Sequence, residues 1–307
     1  MFHTPVALFI FNRPECTRQL FSVIAVLKPS RLFIIADGPR QNNPEDEQRC
    51  AETRAIFNEI NWPCEVSRRY SELNMGCRNS IPSGLNWVFG QVEECIILED
   101  DCVPDLSFFC YCSQLLDYYR SNEQIMTIGG HRSDGPNQTE GNSYFFSKYP
   151  NIWGWATWKR SWEKFDLSMT KWAELKSTSW LTEKLKEEKY VVYWTRIFDQ
   201  MEKMNTWDYA WVFSSWLNNG LSIRSSVNMI SNIGFGADAT HTTQDKNQYH
   251  SQKTSAISFP LKHPSAVVVD PEDEKRIEWV TFSGMHERLL ENARLKIAEL
   301  RGRGLER

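Results

Sequence analysis

Three consecutive carboxylates, Glu99, Asp100 and Asp101, close the run Glu94-Cys-Ile-Ile-Leu-Glu-Asp-Asp-Cys102. The four apolar residues before them, 95 to 98, have the length of a short buried strand. Taking adjacent carboxylates out of water costs several kcal/mol per ion unless a cation compensates them. Oxygen ligands of this kind suit a hard divalent metal. Val103-Pro104-Asp105 then turns the chain into a helical pattern carrying Leu106, Phe108, Phe109, Leu115 and Leu116. The triplet is therefore expected at the carboxyl end of a strand, where open α/β sheets bind ligands. A solvated acidic turn is the competing reading, and the surrounding pattern has to separate the two.

That pattern is an alternation of strands and helices. Residues 6–11 are an apolar run closed by Asn12-Arg13-Pro14, and helical spacing follows through Leu20, Phe21, Ile24 and Leu27. Residues 32–36 form the next run and end in the turn Asp37-Gly38-Pro39-Arg40. Asn43 as cap and Pro44 at the first helical position open a helix expected to reach residue 60. A third strand at 64–68, the turn Asn74-Met75-Gly76, a helix over 80–89 and a strand at 125–128 complete the alternation. It predicts a mostly parallel sheet with helices on both faces. The polar strand ends (Asn12-Arg13, Asp37-Gly38, the Asn74 turn and the acidic triplet) would then converge on one sheet edge. Together they suit a nucleotide bearing a diphosphate and a metal. Neither G-x-G-x-x-G nor G-x-x-x-x-G-K-[ST] occurs, against a classical dinucleotide fold or a P-loop.

Past Gly130 the alternation stops. Residues 131–143 read as an exposed polar loop, and 144–147 and 153–158 as short strands of a second layer. Residues 171–205 read as helical with a solvated charged face at 183–189, and 208–217 as an aromatic helix. Residues 228–243 are expected to form a loop, and 245–264 show little periodicity. A helix with Leu289, Leu290, Leu295, Ile297 and Leu300 is expected in the tail, packed on the body ahead of a dimer or membrane-surface contact.

Composition narrows the classes. The 307 residues are 41% hydrophobic and 24% charged, ordinary for a globular protein, with a formal charge of −4 that gives no bulk attraction to nucleic acid. No apolar run approaches the length of a membrane span. Met1 leads straight into a strand pattern without a basic leader, so a cytoplasmic location is expected, with at most peripheral contact at the inner face of the membrane. All 8 cysteines fall between Cys16 and Cys112 without zinc-site spacing, which reads as reduced thiols. Most of the 13 tryptophans read as aromatic core, and the remainder as an apolar platform for a sugar ring.

The chain resembles glycosyltransferases of the GT-A fold, most closely the inverting β-1,2-N-acetylglucosaminyltransferases and related bacterial sugar transferases. The resemblance rests on Glu99-Asp100-Asp101 after its strand, Arg13 after the first strand, Asp37 after the second and Ile152-Trp153-Gly154-Trp155. It continues through Trp207-Asp208, Asn232-Ile-Gly-Phe-Gly236 and Thr240-His241. It implies a Rossmann-like, mostly parallel sheet with a smaller mixed acceptor-side region and a C-terminal helix. Residues 1–130 would be the nucleotide-sugar-binding half, 131–265 the acceptor-side and catalytic half of the same domain, and 266–307 a helical tail. The implied activity is transfer of a sugar, N-acetylglucosamine from UDP, to a hydroxyl of a glycan or glycolipid.

Carried onto this chain, the resemblance gives Asp101 to Mn²⁺ or Mg²⁺, and Glu99 and Asp100 to sugar and ribose hydroxyls. Asp37 would accept from the uracil ring, Arg13 would lie near the base or phosphates, and Arg78 would pair with the diphosphate. Asp208 would be the catalytic base, and loop 237–241 would close over the nucleotide with His241 near the phosphates or metal. Plainer readings stand beside these: Asp208 as a helix cap, with Asp166 or Asp199 as the base, Asp37 as a turn residue, Arg13 as a surface ion pair, and His241 as a local hydrogen-bond partner. Two other functions compete, a nucleotidyltransferase making nucleotide sugars and a non-catalytic sugar-binding protein. The first would want a Gly-rich basic loop where Phe11-Asn-Arg-Pro14 stands.

Overall fold

The computed structural model describes residues 1–132, 141–234 and 252–279. β1 (Val6–Ile10) is buried along its whole length and leads into α1 (Pro14–Leu27), with Pro14 in the first turn, where its missing N–H leaves no bond unmade. β2 (Arg31–Ala36), α2 (Glu45–Ala55), β3 (Glu65–Tyr70), α3 (Gly76–Phe89) and β4 (Glu94–Glu99) follow. β1 runs parallel to both β2 and β4, with Phe9 beside Glu99, and β2 runs parallel to β3. The apolar runs of β1, β2 and β4 are continuous because helices cover both sheet faces. β3 closes the edge with Arg68 and Arg69, charges that discourage further strand pairing.

β5 (Cys102–Pro104), α4 (Ser107–Tyr118) and β6 (Ile125–Gly129) come next. β7 (Tyr144–Ser147) and β8 (Trp155–Trp158) do not form the second layer that their patterning suggested. β8 fills the slot between β4 and β6, antiparallel to each, with Trp155 opposite both Ile97 and Gly129. An empty slot there would leave two rows of buried backbone groups without partners. β7 pairs with the later strand β9 (Leu221–Ser225) at the far edge, and the eight strands run in the order β3-β2-β1-β4-β8-β6-β9-β7. All but β7 and β8 point the same way. The result is a mixed α/β fold around one large, mostly parallel sheet.

The single helix expected over 171–205 is broken. After α5 (Lys159–Trp162) the chain forms α6 (Trp172–Leu175), α7 (Trp180–Leu185) and α8 (Glu188–Gln200). Ser177 and Thr178 bond back to the carbonyls of Glu174 and Leu175, and Lys186 adopts φ 59°, so the backbone leaves the helix at both joins. α9 (Asp208–Leu217) begins at the residue the sequence indicated. The expected 228–243 loop instead contains β10 (Ile230–Asn232), antiparallel to β5. His131 and Arg132, expected to open an exposed loop, are each 3% exposed.

α1 and α4 pack on one face of the sheet, and α3 and the start of α9 on the other. Nine of the thirteen tryptophans are buried, among them Trp155 and Trp207, stacked at 5.7 Å. All eight cysteines are free thiols. Among the described residues no helix is long and apolar enough to cross a membrane.

Candidate active site

The ends of β1 and β4 build the acidic edge together. The Phe11 N–H donates to Asp100 Oδ2 at 3.0 Å, so Asp100 joins the two strands and is 6% exposed. Arg13 Nη1 donates to Asp101 Oδ2 at 2.7 Å and lies 3.6 Å from Asp100 Oδ1. The backbone of Arg13 is fixed from behind. It occupies the N-cap position of α1, Pro14 keeps it out of the helical region, and its carbonyl accepts the Thr17 N–H at 2.9 Å. Glu99 is half-buried, and no hydrogen bond ties its side chain to the described residues. Burial, then the neighbouring charges of Asp101 and Asp100, push the Glu99 carboxyl up from its ordinary range. Burial raises Asp100 as well, against the pull of Arg13. Among the described residues three acids thus face one guanidinium.

The start of α3 draws the other segments in. Asp37 accepts the N–H groups of Gly38 and Met75 at 2.9 Å each, that of Gly76 at 3.0 Å, and the Asn74 amide at 3.2 Å. It is an anion at a helix N-terminus, where the peptide dipoles favour negative charge. Gly76 has φ 72°, and a Cβ there would meet Asn205 Oδ1 at 2.7 Å, so only glycine allows this approach. Arg78 turns toward the same stretch, its N–H reaching Asn205 Oδ1 at 3.2 Å and its guanidinium the Met201 carbonyl at 2.7 Å. These bonds anchor the chain just before Thr206, whose hydroxyl donates to Asp208 at the start of α9. Cys77 lies within this ring. Burial pushes its thiol up, and the charges of Glu99, Asp208, Asp101 and Asp37 add to the effect in that order. Asp208 also acts on Glu99.

The structure therefore joins Arg13, Asp100 and Asp101 directly, with Glu99 next to them in the chain and Asp37 holding the start of α3, while Asp208 at the start of α9 lies near enough for its charge to act on Glu99 and Cys77. Arg78 serves the Met201–Asn205 stretch. His241 and loop 237–241 lie outside the described residues, but the chain enters that segment beside the triplet. Ile233 N–H donates to the Asp101 carbonyl at 2.8 Å, and a Cβ on Gly234 would lie 2.0 Å from Asp101 Oδ2. The other two candidate bases have local duties. Asp166 accepts the N–H groups of Ser168 and Thr170, and Asp199 pairs with Lys176 and the Trp172 indole.

Sequence reasoning missed Gly234, Asn205 and Asp46 as parts of this edge. Asp46 is fully buried and accepts from Asn12 Nδ2 at 2.7 Å and from Arg40 Nε at 2.6 Å, joining the loops after β1 and β2. Its only sequence signal was an acid in the first turn of a helix. Asn232-Ile-Gly-Phe-Gly236 was visible as a motif, but the close approach that makes Gly234 necessary is a three-dimensional fact.

Carboxylate oxygens are the ligand type that a hard divalent cation takes. At this edge the described residues offer the oxygens of Glu99, Asp100 and Asp101 beside the one guanidinium of Arg13. Among the described residues no group of three His, Cys, Asp or Glu side chains is arranged to hold a metal ion.

No family model matches the chain, and no curated protein matches it. Solved structures with a similar overall arrangement include a galactosyltransferase, LgtC, in complex with donor and acceptor sugar analogues (8% identity, 69% of this chain and 70% of that one, TM-score 0.35). A UDP-glucose pyrophosphorylase complexed with UDP-glucose is similar at 10% identity over 72% of this chain and 90% of that one, TM-score 0.36. S. aureus TarS 1–349 is similar at 11% identity over 57% of this chain and half of that one, TM-score 0.34. Likenesses this distant assign no activity.

Proposed function

We propose that this chain is an inverting, metal-dependent glycosyltransferase that moves a sugar from a nucleoside diphosphate to an acceptor hydroxyl. The observation that carries the reading is the acidic edge itself, where Arg13 after β1 donates to Asp101 and lies beside Asp100 after β4, while the Phe11 N–H ties Asp100 to β1. The sequence resemblance supports UDP-N-acetylglucosamine as donor and a glycan or glycolipid as acceptor. In this reading residues 1–130 bind the donor and 131–265 supply the base and acceptor side.

Asp101 would hold Mn²⁺ or Mg²⁺ together with the donor diphosphate. When bound, the cation would stabilise the charge that develops on the leaving group. Arg13 adds a second positive charge on the same side. Glu99, the triplet member without a hydrogen-bond partner among the described residues, would be available to donor hydroxyls. Asp208 removes the acceptor proton as the new bond forms, and inversion asks for such a base on a segment separate from the leaving-group side. The bonds of Arg78 to Asn205 and Met201, and the close packing of Gly76 on Asn205, hold that segment in place.

Calorimetry with UDP and UDP-N-acetylglucosamine, with and without Mn²⁺, tests the reading alongside hydrolysis or transfer of the donor. Asp101→Asn should remove the metal-dependent part of UDP binding. Asp208→Asn should keep UDP affinity and lose roughly 10²-fold or more in turnover. Metal-independent UDP affinity in wild type would overturn the metal assignment, and a fully active Asp208→Asn would remove the base.

A further inference from the structure

Among the described residues α3 begins without a local cap: Met75 stands at the N-cap position, and its side chain bonds to no N–H of the first turn. Those N–H groups have no acceptor inside the helix. Two side chains from remote segments take the place of the cap. Asp37, after β2, accepts the Gly76 N–H at 3.0 Å, and Asn205 Oδ1, 127 residues along the chain, accepts the Arg78 N–H at 3.2 Å. The approach is so close that a Cβ on Gly76 would meet Asn205 Oδ1 at 2.7 Å. The Arg78 guanidinium adds a second tie, to the Met201 carbonyl at 2.7 Å. On the other side of Asn205, Trp207 is buried and stacked on Trp155. Thr206 is thus held between two anchors, and its hydroxyl donates to Asp208 Oδ1. The charge of Asp208 also acts on Cys77, the residue between Gly76 and Arg78.

Under the proposed function, on which this inference rests, Asp208 is the base. We propose that Asn205 is a positioning residue for that base: by capping α3 from outside the helix, it fixes where Thr206 stands and so how the Asp208 carboxylate is turned. The donor-side edge and the base then share one helical turn, which Asp37 grips from one segment and Asn205 from the other. Asn205 acts through Thr206 and needs no contact with substrate.

The test compares wild type with Asn205→Leu, close in size but without an acceptor, and Asn205→Asp, which keeps an acceptor and caps as well as asparagine. Ala210 and Trp211 bond through their N–H groups to the Trp207 carbonyl and report on the start of α9. In Asn205→Leu, amide exchange at Arg78, Ala210 and Trp211 should quicken about fivefold, the scale of one lost cap, with α1 unchanged and Asn205→Asp like wild type. Turnover of UDP-N-acetylglucosamine, by hydrolysis or transfer, should fall about tenfold in kcat while calorimetric UDP affinity holds, and Asn205→Asp should restore it. A lowered urea midpoint with unchanged kcat would make Asn205 a structural cap only and overturn the proposal. Loss of UDP affinity in step with kcat would overturn it too, and in both cases an active wild type leaves the proposed function standing. A wild type that neither hydrolyses nor transfers the donor sinks that function, and exchange at Ala210 and Trp211 then decides alone whether Asn205 holds the start of α9.

Discussion

Asp37 is a carboxylate that the chain itself claims. A carboxylate offers about four acceptor sites, and Asp37 takes three backbone N–H groups and one side-chain amide. Asp37→Asn should therefore destabilise the fold by about 1–3 kcal/mol, because the new amide faces donors with donors of its own. A lower urea midpoint, together with UDP affinity reduced no more than a loosened α3 would explain, is the expected result. An unchanged midpoint with lost UDP binding would instead make the carboxylate a reader of the uracil ring. Asp37-Gly38 was legible as a turn after a strand. Its partners Asn74, Met75 and Gly76 were legible only as another turn, since nothing local links two turns so far apart in sequence. The triplet reads more directly, because an apolar strand ending in acids carries its meaning within a few residues. Even there, the sequence treats the three acids alike, whereas the structure gives Asp100 to Phe11, Asp101 to Arg13 and leaves Glu99 for other work.

At the scale of elements, the strands and helices of the first half were readable because each is buried by its own continuous run or helical stripe. The second half was harder for a physical reason. β7 and β8 are four residues each and wholly buried, so their pattern could not say whether they join the main sheet or cover it. The loops after β1 and β2 also act as one unit through Asp46. The Arg40 hydrogen bonds, opposed by burial and helped by Asn12, hold the Asp46 carboxyl down at about 2. Folding thus favours the ionised form, and the sign follows. The contribution is fully present above the ordinary carboxylate value near pH 4 and is lost as pH falls through about 2. Urea midpoints of wild type and Asp46→Asn should differ most at pH 5–7 and converge toward pH 2. A gap that stays constant over that range would show that the ionised form is not what ties these loops.

At the scale of the whole molecule, the segment after residue 270 is anchored to the far edge of the sheet by charge. Residues 271–279 are helical and bury Asp273, Glu274, Ile277 and Glu278. Glu274 accepts from the Ser147 hydroxyl at 2.7 Å, and Glu278 accepts from Lys148 Nζ and the Tyr149 hydroxyl at 2.9 Å each. Asp273 Oδ1 lies 3.4 Å from Arg276 and 3.7 Å from Arg132, whose guanidinium also donates to the Ser225 carbonyl and sits 4.9 Å over the Phe145 ring. The tail helix expected through Leu289, Leu290, Leu295, Ile297 and Leu300 lies outside the described residues, and the contacts of 271–279 are largely ionic. The side chains of Arg132 and Asp273 are 2% and 0% exposed, so removing one charge takes away part of what compensates the other in a low-dielectric interior. Asp273→Ala should cost about 3–5 kcal/mol of unfolding free energy. Replacing both partners, Arg132→Met with Asp273→Leu, should recover most of that loss, since an apolar pair carries no desolvation penalty. Glu272→Ala, on the exposed side of the same helix, should change the urea midpoint little. A double variant no more stable than Asp273→Ala would mean that the other bonds of Arg132, and not its pairing with Asp273, hold this end of the chain on the sheet.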